Sequence, residues 1–563
     1  MTAASGKAKK ETVKFGTFGG VFTPSVLTII GVVLFLRTGW MVGEAGIVGA
    51  VLIILLAHLV SLATGLSLSS ISTNIRIGVG GAYSIIAKSL GPEVGGAIGI
   101  PLYFSQAIST AFYIAGFTEA WMAFERTAGM TLHEPLHIAL VTWGALVFIS
   151  FVGADLAIKV QYIIMAAVAV SLGSFFMGTP MADAGAPVWR VSGYKNFFEV
   201  FAIFFPAVTG ILAGASMSGD LKDAKKSIPT GTLAAIGVGF AAYMGAALWY
   251  GRAADTRSLI ENSAVMMDIS RWSWTFYAGV FAATLSSALG TLVAAPRTLN
   301  ALGIHGIIPF SGIFARKDHK GQPRNASLVT YAFSFVFVVF GRLDTIAPLL
   351  TMFFLVTYGM VNLVTFIEHS IGIASFRPRF RTPRYVSLFG AASCFFIMLV
   401  IDPVIGSVAI AIIAAIYVYL LRSGLKARWG DVRSGLFSSI AMWSARQSLM
   451  LPRHTKAWTP HLLMPVENPK ASPIFFALAR DITYPGGSMI AFTVASHAEK
   501  EKMSQQLEEA LEPVRREKVF CLSSTVEGVN FTAAALTLVQ FLKGMFLRPN
   551  ILLLTIGDDP EKD

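Results

Sequence analysis

From Asn196 to Ser218 the chain carries an apolar run long enough to cross a membrane, yet its middle reads Phe204-Phe-Pro-Ala-Val-Thr-Gly-Ile-Leu-Ala-Gly-Ala215. Pro206 removes a backbone donor, and Gly210 and Gly214 are poor helix formers, so the span is expected to come apart near its centre. Hydrocarbon offers unpaired backbone groups no partner. An unwound span therefore persists only where protein or a wet cavity surrounds it, and such breaks mark ion and substrate sites. Pro24-Ser-Val-Leu-Thr-Ile-Ile-Gly-Val-Val-Leu-Phe35 repeats the device, with an early proline and Gly31 inside a long apolar run. Two interrupted spans so far apart predict the first helices of two repeats, the sequence sign of a secondary transporter.

The rest of the chain agrees with membrane residence. It is 54% hydrophobic and 13% charged, with a mean hydropathy of +0.65, whereas soluble proteins carry about 25% charged residues. The net charge of +12 does not read as a nucleic-acid footprint, because the basic residues sit in alternate loops. Lys7, Lys9, Lys10 and Lys14 precede the first span, Arg316, Lys317, Lys320 and Arg324 fill one loop, and Arg377, Arg379, Arg381 and Arg384 fill another. With an even number of spans all three lie on one side, which the positive-inside rule makes cytoplasmic. We expect a multi-pass protein of the cell membrane, in contact with lipid, with both termini cytoplasmic and no nucleic-acid partner. Two cysteines, Cys394 and Cys521, allow neither a disulfide framework nor a thiolate metal cluster. Gly78-Val-Gly-Gly-Ala-Tyr83 follows no strand, so it is no dinucleotide fingerprint. His58, His137 and His305 are scattered and receive no ligand role, and the lysine-rich start lacks the pattern of a removable signal peptide.

Taking roughly 20 apolar residues per crossing, we read an all-α multi-pass membrane protein of twelve spans. They lie near 16–40, 46–72, 82–121 (interrupted at Gly91-Pro92), 135–156, 158–178, 196–218, 230–251, 272–299, 327–341, 345–373, 384–402 and 404–422. An N-terminal tail (1–15) precedes a transport domain (16–422). That domain comprises repeats at 16–178 and 196–373, each opened by a broken helix (spans one and six), and two further spans at 384–422. A linker (423–471), with a helix from Leu436 to Leu451, leads to a soluble α/β domain (472–563). There, strands at 489–495, 519–522 and 550–555 alternate with helices at 499–516 and 531–545, predicting a parallel sheet that ends after its third strand, as a truncated domain would.

Specific residues now carry a resemblance. Phe201 to Leu221, followed by Lys225-Lys-Ser-Ile-Pro-Thr-Gly-Thr-Leu233, resembles the sixth helix and following loop of the cation-chloride cotransporters, and is most similar to their sodium-coupled branch. Gly31-Val-Val-Leu-Phe-Leu-Arg37, Tyr83 to Gly95, Phe112-Tyr-Ile-Ala-Gly-Phe-Thr-Glu119 and Ala283-Thr-Leu-Ser-Ser-Ala-Leu289 resemble that family's first, third and eighth helices. The likeness covers about residues 16 to 375 well and the tail loosely. It implies the twelve-span 5+5 inverted repeat (LeuT-like) of the amino acid-polyamine-organocation superfamily. It also implies symport of sodium, potassium and chloride, with no cofactor and no enzymatic activity, and a tail that regulates and forms a homodimer. The tail's α/β pattern leaves nucleotide binding open.

The resemblance also implies sites. Potassium would be held by carbonyls of Thr28, Ile29 and Pro206 with hydroxyls of Tyr113 and Thr209, since neutral oxygens can replace its hydration shell. Sodium would take carbonyls of Leu27, Ile30 and Ala283 with hydroxyls of Ser286 and Ser287. One chloride would meet amides of Gly31, Val32 and Val33, and a second those of Gly210, Ile211 and Leu212 with the Tyr358 hydroxyl, because a half-helix start presents N–H donors and a positive dipole end. Arg37 with Glu119, and Asp220 with Arg297, would gate the two mouths. Read without the family, each has a plainer role: Tyr113 as a core tyrosine, the serines as close-packing residues, the charged groups as snorkelling anchors. Thr28 and Ile30 stand where the family usually has asparagine and tryptophan, which preserves backbone ligands but changes their packing. The loop from Arg252 to Arg271 is short and lacks a glycosylation acceptor, pointing to a prokaryotic member. An alternative on the same scaffold is a sodium-coupled amino-acid permease, although Tyr113 and Tyr358 would fill the substrate pocket. An enzyme built on the tail lacks a phosphate loop and any acid, base and nucleophile set.

Overall fold

The computed structural model describes residues 15–74, 81–152, 154–182, 184, 187, 189, 195–216, 221–318, 321–371, 377–422, 433–450, 458–470, 473–517, 519–528, 530–542 and 548–554. The chain forms two compact units, Met1–Leu436 and Phe437–Asp563.

The first unit is helical. Its elements are α1 (Thr23–Ile29), α2 (Val32–Leu36), α3 (Thr38–Asn74), α4 (Ala82–Leu90), α5 (Pro92–Ala128), α6 (Pro135–Val152), α7 (Ala154–Phe176), α8 (Phe197–Phe204), α9 (Ile211–Ser216), α10 (Ala224–Ala253), α11 (Thr256–Glu261), α12 (Val265–Ile269), α13 (Trp274–Ile304), α14 (Ser311–Phe314), α15 (Arg324–Phe340), α16 (Leu343–Ile371), α17 (Arg384–Ile401) and α18 (Pro403–Arg422). Among the described residues nine helical stretches are long and apolar enough to cross a membrane, counting Phe18–Leu36 and Phe197–Ala215 across their breaks; Pro135–Phe151, Val160–Phe176 and Arg324–Phe340 are shorter apolar helices. The expected third span is two helices. Gly91 (φ 94°, ψ 164°) takes a conformation that only glycine adopts readily, and Pro92 opens α5 where a missing N–H costs nothing. α3 bends at Gly46 (φ 68°) for the same reason. Asp223 and Asp255 accept backbone N–H bonds at the starts of α10 and α11, satisfying donors that the helices cannot.

α3, α5, α10, α13 and α16 enclose the two broken spans. A polar knot fixes α3, α16 and α17: Asn362 donates to Thr64 Oγ1 (2.8 Å) and to the Tyr358 carbonyl (2.9 Å), and accepts from Ser67, which also pairs with Ser387. Such a network is favourable in an apolar surround only because its members satisfy one another. Phe15 bridges Leu221, and Lys222 N–H donates to the Phe15 carbonyl (2.9 Å), tying the entry of the first broken span to the exit of the second.

α19 (Arg433–Met450) precedes the second unit's sheet, which comprises β1 (His461–Pro465), α20 (Pro473–Thr483), β2 (Ser488–Ala495), α21 (Lys500–Arg516), β3 (Phe520–Glu527), α22 (Phe531–Leu542) and β4 (Ile551–Leu552). All neighbours in the order β3-β2-β1-β4 run parallel. This corrects the expected boundary: β1 lies inside the segment assigned to the linker, so the sheet has four strands, not three. Pro460 just before it and Pro465 at its end disguised a strand of five residues, and α20 was not anticipated. Alternate side chains explain the two cores. Leu462, Met464, Met489, Ala491 and Cys521 meet Phe476, Leu507 and Leu511, while Leu463, Ile490 and Phe492 meet Leu542. Burial pushes the Cys521 thiol up to about 11, so it is not a thiolate at neutral pH.

Candidate ion site between two broken helices

The first break is abrupt. Helical geometry stops at Ile29, Ile30 turns (φ −82°, ψ 55°), Gly31 extends (φ −104°, ψ −152°), and α2 resumes at Val32. The second is wound tighter rather than cut: Phe205–Val208 form a 3₁₀ turn containing Pro206, Thr209 and Gly210 turn, and α9 follows. The two breaks touch. A Cβ on Gly210 would lie 2.8 Å from Thr28 Cβ and 2.9 Å from Ile29 N, so no side chain fits there.

Hydroxyls, most of them from unbroken spans, meet several freed carbonyls. Ser61 (α3) donates to the Val208 carbonyl at 3.0 Å and Tyr358 (α16) to the same oxygen at 3.4 Å. Thr209 Oγ1 donates to the Pro206 carbonyl (2.8 Å), and Thr351 to that of Ala202 (2.7 Å). At the first break Tyr243 (α10) donates to the Ile29 carbonyl (2.8 Å), and Ser287 (α13) to that of Leu27 (3.4 Å). Buried carbonyls demand such partners or an ion.

A cavity of about 450 Å³ opens beside the breaks. Of the residues expected at the potassium site, Thr28, Tyr113 and Thr209 line it; Ile29 and Pro206 are buried behind its wall, their carbonyls bonded as above. Ser286 and Ser287 line it too, and Ser287 reaches Leu27; Ile30 and Ala283 are buried but do not line it. Gly210 and Leu212 face the cavity, while Ile211 and the trio Gly31, Val32 and Val33 are buried away from it at half-helix starts, where amides fall outside the helix's own ladder. The Tyr358 proton points at Val208. Arg297 lines the cavity, and Asp220 lies outside the described residues. The cavity's polar groups are thus mainly neutral oxygens. Among the described residues no cluster of three His, Cys, Asp or Glu could hold a metal. Neutral oxygens suit alkali cations, and buried amides suit halide.

Beyond α2, Arg37 and Glu119 form the expected pair as a two-pronged bridge, both contacts 2.9 Å. Sequence reasoning missed Asp344, which accepts from Arg37 Nε at 2.8 Å. A carboxylate in the first turn of an apolar span was the available signal. It also missed Tyr243, Ser61 and Thr351, which nothing distinguishes from the many hydroxyls in apolar helices.

Residues 20–464 match the family described as Amino acid permease. Residues 464–563 match the domain described as Prokaryotic cation-chloride cotransporter, C-terminal domain, 1st. The chain is 32% identical to the bumetanide-sensitive sodium-(potassium)-chloride cotransporter of Manduca sexta, across 97% of this chain and 58% of that protein. It is 31% identical to solute carrier family 12 member 2 of Homo sapiens (98% and 50% covered). Solute carrier family 12 member 1 of Homo sapiens is 32% identical (86% and 49% covered). The chain spans about half the length of the curated relatives it matches.

Proposed function

The chain belongs to the amino acid permease family, with the C-terminal domain of a prokaryotic cation-chloride cotransporter, and from this premise we propose that it is a secondary active symporter moving sodium, potassium and chloride together by alternating access. One observation carries the reading: Thr28, Tyr113 and Thr209 from three elements meet Ser286 and Ser287 around one cavity where two broken spans touch. Hydroxyls of Tyr113 and Thr209 with carbonyls of Thr28, Ile29 and Pro206 dehydrate potassium, the serine pair with the Leu27, Ile30 and Ala283 carbonyls serves sodium, and the half-helix starts hold two chlorides. Coupling follows from charge. A lone ion in a low dielectric is costly, and a cation beside each halide offsets that cost. Balanced loading of one sodium, one potassium and two chlorides then crosses without net charge.

The scaffold we propose is a twelve-span inverted repeat, in which three shorter apolar helices join the nine long ones. Supporting the repeat, Gly31 O accepts from Leu34 N and Gly210 O from Ala213 N, each at 3.1 Å. We place it in the cell membrane with cytoplasmic termini, as a homodimer whose α/β unit is regulatory and open to a nucleotide.

The test is uptake of radiolabelled rubidium into proteoliposomes. The expected result is uptake requiring both sodium and chloride, lost in Tyr113→Phe and Thr209→Ala. The cavity's volume exceeds what bare ions need, which favours amino-acid transport as the second reading; amino-acid uptake indifferent to chloride would decide for it.

A further inference from the structure

Tyr243 lies on α10, in neither broken span and outside the cavity lining, yet it touches both breaks. Its side chain is fully buried. The hydroxyl donates to the Ile29 carbonyl at 2.8 Å, and its ring meets Phe204 edge-on, with centroids 5.1 Å apart and planes at 83°. Ile29 is the last residue of α1, so its carbonyl has no helical N–H to point at and would otherwise be free to swing. Phe204 is the last residue of α8, just before the second break. One turn earlier on α10, a Cβ on Gly239 would run into the Ile29 side chain. The absence of a side chain there lets α10 approach closely enough for the phenol to reach. His58 completes the seat: its ring stands 6.0 Å from Tyr243 and 5.3 Å from Phe240, and its Nδ1 donates to the Ile54 carbonyl.

We propose that Tyr243 is a positioning residue for the potassium site, fixing the direction of the Ile29 carbonyl so that its second lone pair faces the ion. A carbonyl can accept a hydrogen bond and a cation together. A site that replaces a hydration shell gains from ligands already aimed before the ion arrives, since ordering them on binding weakens affinity. The sodium ligands are held from another direction, through Ser287 on α13. Tyr243 therefore acts on potassium and not on sodium. This inference rests on the ion-site reading above.

The same helix supplies the control. Tyr250, seven residues on, is fully buried with a hydroxyl that finds no hydrogen-bond partner among the described residues. Tyr243→Phe, Tyr250→Phe and Tyr113→Phe of the full chain are compared in proteoliposomes, titrating rubidium with sodium and chloride saturating, then sodium with the others saturating. Melting temperatures of the purified proteins are taken alongside. The expected result is a roughly 5–10-fold rise in the rubidium half-saturation of Tyr243→Phe, the scale of one lost buried hydrogen bond. Its sodium half-saturation stays at the parent value, and Tyr250→Phe is silent in both. An equal shift for both cations, or a fall in rate matched by a fall in melting temperature, overturns the proposal in favour of a packing role. If Tyr113→Phe weakens rubidium and Tyr243→Phe does not, the site stands and the positioning role falls. If neither moves it, the site reading fails and takes this one with it.

Discussion

The two breaks reach the same end by different means. At Ile30–Gly31 the chain leaves helical geometry within two residues, and single hydroxyls from two different helices, Tyr243 and Ser287, hold carbonyls there. At Phe205–Gly210 the chain tightens into a 3₁₀ turn, and one carbonyl, that of Val208, is met twice, by Ser61 and Tyr358. The first break has its Ile29 and Leu27 carbonyls held by one side-chain bond apiece. The second concentrates its bonds and has redundancy. Where they touch, the second break tolerates no side chain at Gly210.

That contrast can be broken in order of severity. Gly210→Val should abolish rubidium uptake, by more than about 100-fold, because its side chain meets Thr28 and the Ile29 backbone with nowhere to relax; uptake near the parent rate would show that the contact is not needed. Ser287→Ala should raise the sodium half-saturation by roughly tenfold, the scale of one lost ligand or buried hydrogen bond, and leave rubidium within about twofold. Ser61→Ala and Tyr358→Phe should each change uptake by less than about twofold, and together by more than about fivefold, since only the pair leaves Val208 unsatisfied; simple additivity would remove the claim of redundancy. As small as either of those single substitutions should be Asp344→Asn, within about twofold in uptake rate, because Arg37 keeps both bonds to Glu119.

Much of the first break could be read from the chain. Pro24 and Gly31 in an apolar run announce it, and the structure places the turn at Ile30–Gly31. Pro206 and Gly210 announce the second, though not that it would be a 3₁₀ turn rather than a gap. The residues expected as ligands lay within the breaks or, like Tyr113, Tyr358 and the Ser286-Ser287 pair, were carried by the family resemblance. Those that hold the breaks from outside, Tyr243, Ser61 and Thr351, were not legible, because a hydroxyl in an apolar helix looks the same whether it bonds its own turn or a foreign carbonyl. Asp344 escaped because its partner is more than three hundred residues away in sequence. β1 escaped because two prolines and five residues give too little period to separate strand from linker.

Arg37 answers two carboxylates with one guanidinium, so this three-residue cluster, taken by itself, carries one surplus negative charge. Within the roughly 8 Å that physiological salt leaves unscreened, that surplus enriches alkali metal and thins out halide at the entrance. On the proposed symport, a halide arriving past this cluster would be opposed until a cation is seated below, so that reading predicts cation loading before halide from this side.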